Sequence, residues 1–249
     1  MSTEFNTLIK YIDDLRHRYY KTLSAFYAYE GLREAKATNI LGQTEAEENV
    51  KVINRYKDFF MPAEEALRVY FFLELAKLFD ASNQSLHIDK IVNFTESNLK
   101  HLTVDAFNEH NTEQGREFLN SLTEEYKGVA HADLIEIRNL LEAHSESLER
   151  LRTYRDKWLA HEDIKKPELP DITGIELRAL FQVLEKILNT LTSKLNSSST
   201  LWDHVERDVK HHVNLTIDHL RRFEPYRLKE IDEEYKKEIE QYSSDKNKS

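Results

Sequence analysis

The chain has 249 residues, 40% of them hydrophobic and 10% aromatic, which is enough to bury one large core or two modest ones. With no cysteine, it cannot form disulfides, use thiol catalysis or hold cysteine-ligated zinc or iron–sulfur centres. A net charge of −10 repels nucleic acid unless basic groups cluster locally, and the richest apolar run, "VYFFLELAKLF", spans eleven residues and contains Glu74 and Lys77, short of the ~20 that a membrane helix needs.

Five glycines, where average usage gives roughly 17, and four prolines imply few connections and long helices. From Phe5 the apolar residues recur at Leu8, Ile9, Ile12, Leu15, Tyr19, Leu23 and Phe26, the spacing of one helical face, and predict a first helix ending near Gly42. "TEAE", Thr44 to Glu47, reads as a capping box opening a second helix. Pro62 suits the first turn of a third, which carries Leu67, Phe71, Leu75 and Leu78 and is expected to be the most buried. After "DASNQS", short helices are expected around Ile88–Val92 and Phe118–Tyr126.

A single long helix is then predicted between His131 and His161, its seam formed by Leu134, Ile137, Leu141, His144, Leu148, Leu151, Arg155 and Trp158. Pro167 and Pro170 make a loop, and Thr173 caps a helix running through Leu195. The rest is more charged, with a joint at Pro225. The expected division is a helical bundle over residues 1–200, a C-terminal helical extension over 201–242 that packs on the bundle or a partner, and a disordered tail over 243–249. No internal repeat and no alternating strand pattern is present. The first residues, "MSTEFNTLIK", have no basic segment followed by an apolar one, so the expected compartment is the cytoplasm.

Two members of the long seam are not apolar. His144 reads as a hydrogen-bonded core histidine. Arginine is rarely buried unless paired, so Arg155 implies either an internal carboxylate or an opening of the bundle to something anionic. Between residues 150 and 166 basic side chains exceed acidic ones by three, which favours an anionic visitor. His161 lies six residues beyond Arg155, about 9 Å along and about 120° around an ideal helix, so the two meet only if the helix unwinds or if two subunits face each other across a twofold axis.

"RDKWLAH", Arg155 to His161, resembles the signature of the HEPN superfamily (higher eukaryotes and prokaryotes nucleotide-binding), and with "YFFLELAKLFD" at Tyr70 to Asp80 it is most similar to the abortive-infection AbiU-type branch, over most of residues 5–195. The short pattern also fits "RNLLEAH" at Arg138 to His144 and "RDVKHH" at Arg207 to His212. The first of these is expected mid-helix and the second outside the resemblance. The resemblance implies an all-α HEPN-like helical bundle, a metal-independent endoribonuclease without cofactor that acts as a toxin or phage-defence effector, and a homodimer whose two motifs form one cleft. It implies RNA as substrate and an antitoxin protein as a further partner.

The residue types suit that chemistry. Arg155 and His161 are the candidate catalytic pair: a histidine titrating near neutrality moves protons while a guanidinium steadies the charge of a phosphorane. Asp156 is placed to orient either of them, and Tyr154 and Lys157 to contact base or phosphate. Two other readings stay open: a non-catalytic module that uses the same cleft to hold RNA, nucleotide or a protein, and a helical scaffold in which Arg155 is paired internally. His204, Asp208 and His211, with His212 nearby, could ligate a divalent ion but read more simply as a histidine-rich polar face.

Overall fold

Few turn residues give a chain that is almost all helix: among residues 3–80, 85–126, 128–156 and 172–246, which the computed structural model describes, all regular structure is helical. In order these are α1 (Thr3–Glu34), α2 (Thr38–Leu41), α3 (Gln43–Arg55), α4 (Lys57–Leu78), α5 (Ile88–Ser97), α6 (Val104–Glu113), α7 (His131–Glu142), α8 (Ser145–Tyr154), α9 (Gly174–Leu195) and α10 (Asp203–Lys246), with 3-10 turns at Leu99–His101 and Glu117–Glu125.

The chain divides into two units. One comprises Met1–Phe26 and Ala66–Glu206, the other Tyr27–Glu65 and Arg207–Ser249, so most of the expected extension groups with residues 27–65. In the first unit α7 and α8 pack on α9, and α5 packs on α7. The centre is α9, with ten buried residues from Leu177 to Leu195, so it and not α4 fills the core. Its start is fixed by a capping box. Thr173 Oγ1 accepts from Glu176 N at 3.2 Å, and Thr173 N donates to the Glu176 carboxylate at 2.9 Å. Tyr19, fully buried, donates to Glu185 at 2.8 Å and stands edge-on to Trp202 at 4.8 Å. Phe26 then touches both Phe181 and Phe71.

In the second unit Gly31 lets α1 approach α10 closely, since a Cβ there would lie 3.3 Å from that of Val213. Ile217 is buried on the same face of α10, and Lys210 pairs with Glu34 at 2.7 Å.

Several boundaries depart from the expected ones. The first helix stops at Glu34, and α3 begins at Gln43, with Gly42 at φ 82° and no side-chain cap. Thr44 is therefore already inside the first turn and cannot serve as the cap. α4 opens at Lys57, placing Pro62 inside the helix at the cost of one backbone bond, and α10 likewise passes through Pro225 unbroken. It runs to Lys246, into the stretch expected to be disordered. Residues 117–125 wind as a 3-10 turn, and α6 was not foreseen.

The long seam helix is two helices. His144 Nδ1 donates to the Leu140 carbonyl at 3.0 Å, the acceptor that its own amide would use in a straight helix, and its N–H turns instead to Leu141 at 3.1 Å. This tightened turn ends α7. The buried phase resumes in α8 with Leu148 and Leu151.

Candidate functional site

α8 delivers Tyr154, Arg155 and Asp156 at its end. Leu148 and Leu151 anchor its buried face against the first unit's core, and Arg155 follows four residues after Leu151, one turn on, along that stripe. The winding at Arg155 and Asp156 widens to π-type, a local feature that often accompanies functional sites. Lys157 and His161 lie outside the described residues.

The Arg155 side chain is 18% exposed and is held by two carboxylates. Nη1 donates to Asp80 at 2.6 Å and Nε to Asp156 at 2.6 Å; these bonds raise its pKa above the ordinary arginine value despite partial burial. Among the described residues its Nη2 has no hydrogen-bond partner. The two acids differ: Asp80 is 31% exposed and Asp156 59%. Asp80 thus holds one terminal nitrogen of the fork from the less exposed side, and the more exposed Asp156 holds Nε.

Tyr154 is occupied by internal partners. Its ring lies 4.5 Å from that of Phe72, and its hydroxyl accepts from Arg68 Nη1. Phe72 stacks on Phe71, so an aromatic run reaches from the core at Phe26 to the end of α8. The basic residues before the motif are engaged as well. Arg152 donates to the Phe79 carbonyl at 3.2 Å, and Arg150 is bound to Glu176, whose carboxyl is held low first by the Thr173 backbone N–H. Among the described residues of that basic stretch, Arg150 and Arg155 are thus paired with acids from distant segments, Glu176 and Asp80. Beside Phe79 and Arg152 lies a cavity of about 370 Å³, bordered also by Ile88, Arg138 and Leu148, within the size range of small-ligand sites.

Asp80 and Arg68 were not singled out from the sequence. Asp80 does close the quoted stretch "YFFLELAKLFD", and Arg68 precedes Phe72 by one helical turn, yet no local pattern ties either to residues some 75 or more positions away.

The two rival motif matches are both structurally engaged. Arg138 to His144 ends at the α7–α8 joint, not mid-helix as expected, but Arg138 binds Glu96 through both terminal nitrogens (3.0 and 2.7 Å) and His144 is tied to Leu140. Arg207, with its side chain 77% exposed, pairs with the adjacent Asp208 on a continuous stretch of α10. Among the described residues no group of three or more His, Asp and Glu side chains converges as a metal site would, His204, Asp208 and His211 included, and no helix is long and apolar enough to cross a membrane.

Comparison with known families matches the HEPN_AbiU2 (AbiU2) family over residues 5–216. The match extends past the expected limit near Leu195 and takes in Arg207 to His212, so that segment cannot be set aside as lying outside the family. No curated protein and no solved structure matches the chain.

Proposed function

The chain belongs to the HEPN_AbiU2 family, and on that premise we propose that it is a metal-independent endoribonuclease acting in the cytoplasm as a toxin or phage-defence effector, restrained by an antitoxin protein. Two copies contribute Arg155 and His161 to one composite cleft. The observation that supports this reading is the geometry of Arg155: Asp80 holds one terminal nitrogen, the exposed Asp156 holds Nε, and the other terminal nitrogen has no partner among the described residues.

In the proposed reaction the 2′-hydroxyl of RNA attacks the adjacent phosphorus, forming one P–O bond while the bond to the 5′-oxygen breaks. His161 takes the hydroxyl proton or returns one to the leaving oxygen, and Arg155 stabilises the charge of the phosphorane. Asp156 orients the guanidinium until substrate replaces it, or orients His161 afterwards. Lys157 contacts phosphate, and Tyr154 supports the site through its packing on Phe72.

Pairing of Arg155 with Asp80 and Asp156 is what the helical-scaffold reading requires, and a second reading is a non-catalytic module of the same fold that holds RNA, nucleotide or a protein. Incubating wild type and His161→Ala with total RNA in chelator separates the two. Cleavage by wild type alone supports the enzyme; RNA that is bound and left intact supports the module; equal cleavage by His161→Ala rejects the proposed pair.

A further inference from the structure

The family match ends at residue 216, whereas α10 continues to Lys246. The face of α10 that buries Ile217 and meets Gly31 through Val213 does not stop there: at helical spacing it continues as Leu228, Ile231, Tyr235 and Ile239, which are 50%, 47%, 62% and 48% exposed. Four large apolar side chains on one face of a helix mark a surface that something covers.

The start of this stripe forms one wall of a groove. A cavity of about 610 Å³ is lined by Lys51, Val52 and Arg55 of α3 and by Glu224 and Leu228 of α10. Lys51 is exposed and makes no ion pair among the described residues, and Arg55 is more than half exposed beside Glu224. The far end of α10 has the opposite character. Residues 229–241 carry six acids and three lysines, and Glu234 and Glu238 flank the apolar stripe with no ion pair among the described residues.

One molecule therefore carries both a part-apolar groove with two cations against one acid, Glu224, and an acidic apolar helix end, and cannot join them. Ile239 lies about 16 Å beyond Leu228 along a continuous helix, so the acidic end cannot fold back onto its own groove. A second copy can bring the two together. We infer that α10 pairs antiparallel with α10 of a second copy, each acidic end lying in the other's groove at Lys51 and Arg55. The twofold axis then passes near Ile231, because Glu238 of one copy reaches the level of Glu224 in the other. This interface is isologous and lies wholly within the unit formed by residues 27–65 and 207–249. It does not depend on RNA cleavage.

The absence of native cysteine makes the test direct. Under mild oxidation, Ile231→Cys should form a covalent dimer on a non-reducing gel at concentrations where Lys237→Cys, on the opposite face, stays monomeric. Adding Lys51→Glu to Ile231→Cys should slow cross-linking at least about tenfold, and further adding Glu238→Lys should restore it. Equal cross-linking at positions 231 and 237, none at 231, or no rescue by the charge swap would overturn the pairing. Because the readout is a cross-link between two copies, its failure is separable from a failure to cleave RNA.

Discussion

Arg155 shows how a residue that interrupts an apolar stripe can be both structural and available. Asp80 anchors Nη1 and Asp156 holds Nε, which among the described residues leaves Nη2 as the uncommitted corner of a planar fork suited to phosphate. Asp80 acts on the proposed reaction through the arginine, as a positioning residue. Asp80→Asn keeps an acceptor but removes the charge; it is expected to lower kcat for RNA cleavage on the order of 10–100-fold with a smaller change in KM, read by single-turnover kinetics. An unchanged kcat would show that Asp80 serves packing alone. A second residue prediction concerns His110, buried and bonded to Asn6 at 2.6 Å, with Arg116 at 3.4 Å from its other nitrogen. Burial, then the charge of Arg116, push its pKa below the ordinary 6.5, so the folded state keeps it neutral where the unfolded chain binds a proton. Its contribution to stability is present above pH 6.5 and is lost as pH falls from there through the lowered native value. Denaturant titrations between pH 7.5 and 5 should show this decline in wild type and a smaller one in His110→Gln.

At the scale of elements, helical phase was legible and helix ends were not. The spacing of Leu134, Ile137, Leu148 and Leu151 correctly marked one buried seam, but a two-residue break that preserves phase leaves no trace in periodicity. The break comes from the His144 imidazole competing for the Leu140 carbonyl, a contact that no residue count reveals. Pro62 and Pro225 misled as well: proline disfavours a helix interior by about 3 kcal/mol, yet α4 and α10 run through both. Thr173 caps α9 as its position before the apolar run implied, with Glu176 completing the box, whereas the same T-x-x-E pattern at Thr44 to Glu47 does not cap α3. Glu176 also binds Arg150 and so ties the start of α9 to α8 on either side of the motif segment. Thr173→Ala should therefore cost about 1 kcal/mol of stability. Glu176→Ala, which removes cap and tether together, should cost more, and thermal melts that rank the two in the opposite order would refute this dual role.

Across the whole molecule, charge is the property that composition describes least well. The net charge is −10, and Asp80 and Glu176 come from elsewhere in the chain to pair with Arg155 and Arg150, which a count along residues 150–166 does not reveal. The fold class was readable because helical periodicity repeats along the chain, and the family because of two local stretches, Tyr70 to Asp80 and Arg155 to His161, whereas Asp80 as a partner of Arg155 rests on a single long-range contact. The grouping of residues 27–65 with 207–249 was hidden for the same reason, since a continuous helix such as α1 or α10 gives no local sign of where it changes unit. If Arg155 stabilises a phosphorane formed by attack of the RNA 2′-hydroxyl, the ends of a defined RNA cleaved in chelator by wild type and Arg155→Ala report it. Wild type is expected to leave 2′,3′-cyclic phosphate and 5′-hydroxyl ends, with the rate reduced about 10²–10³-fold in the variant. Ends bearing 3′-hydroxyl and 5′-phosphate, an unaltered rate in Arg155→Ala, or RNA left intact by wild type would contradict it.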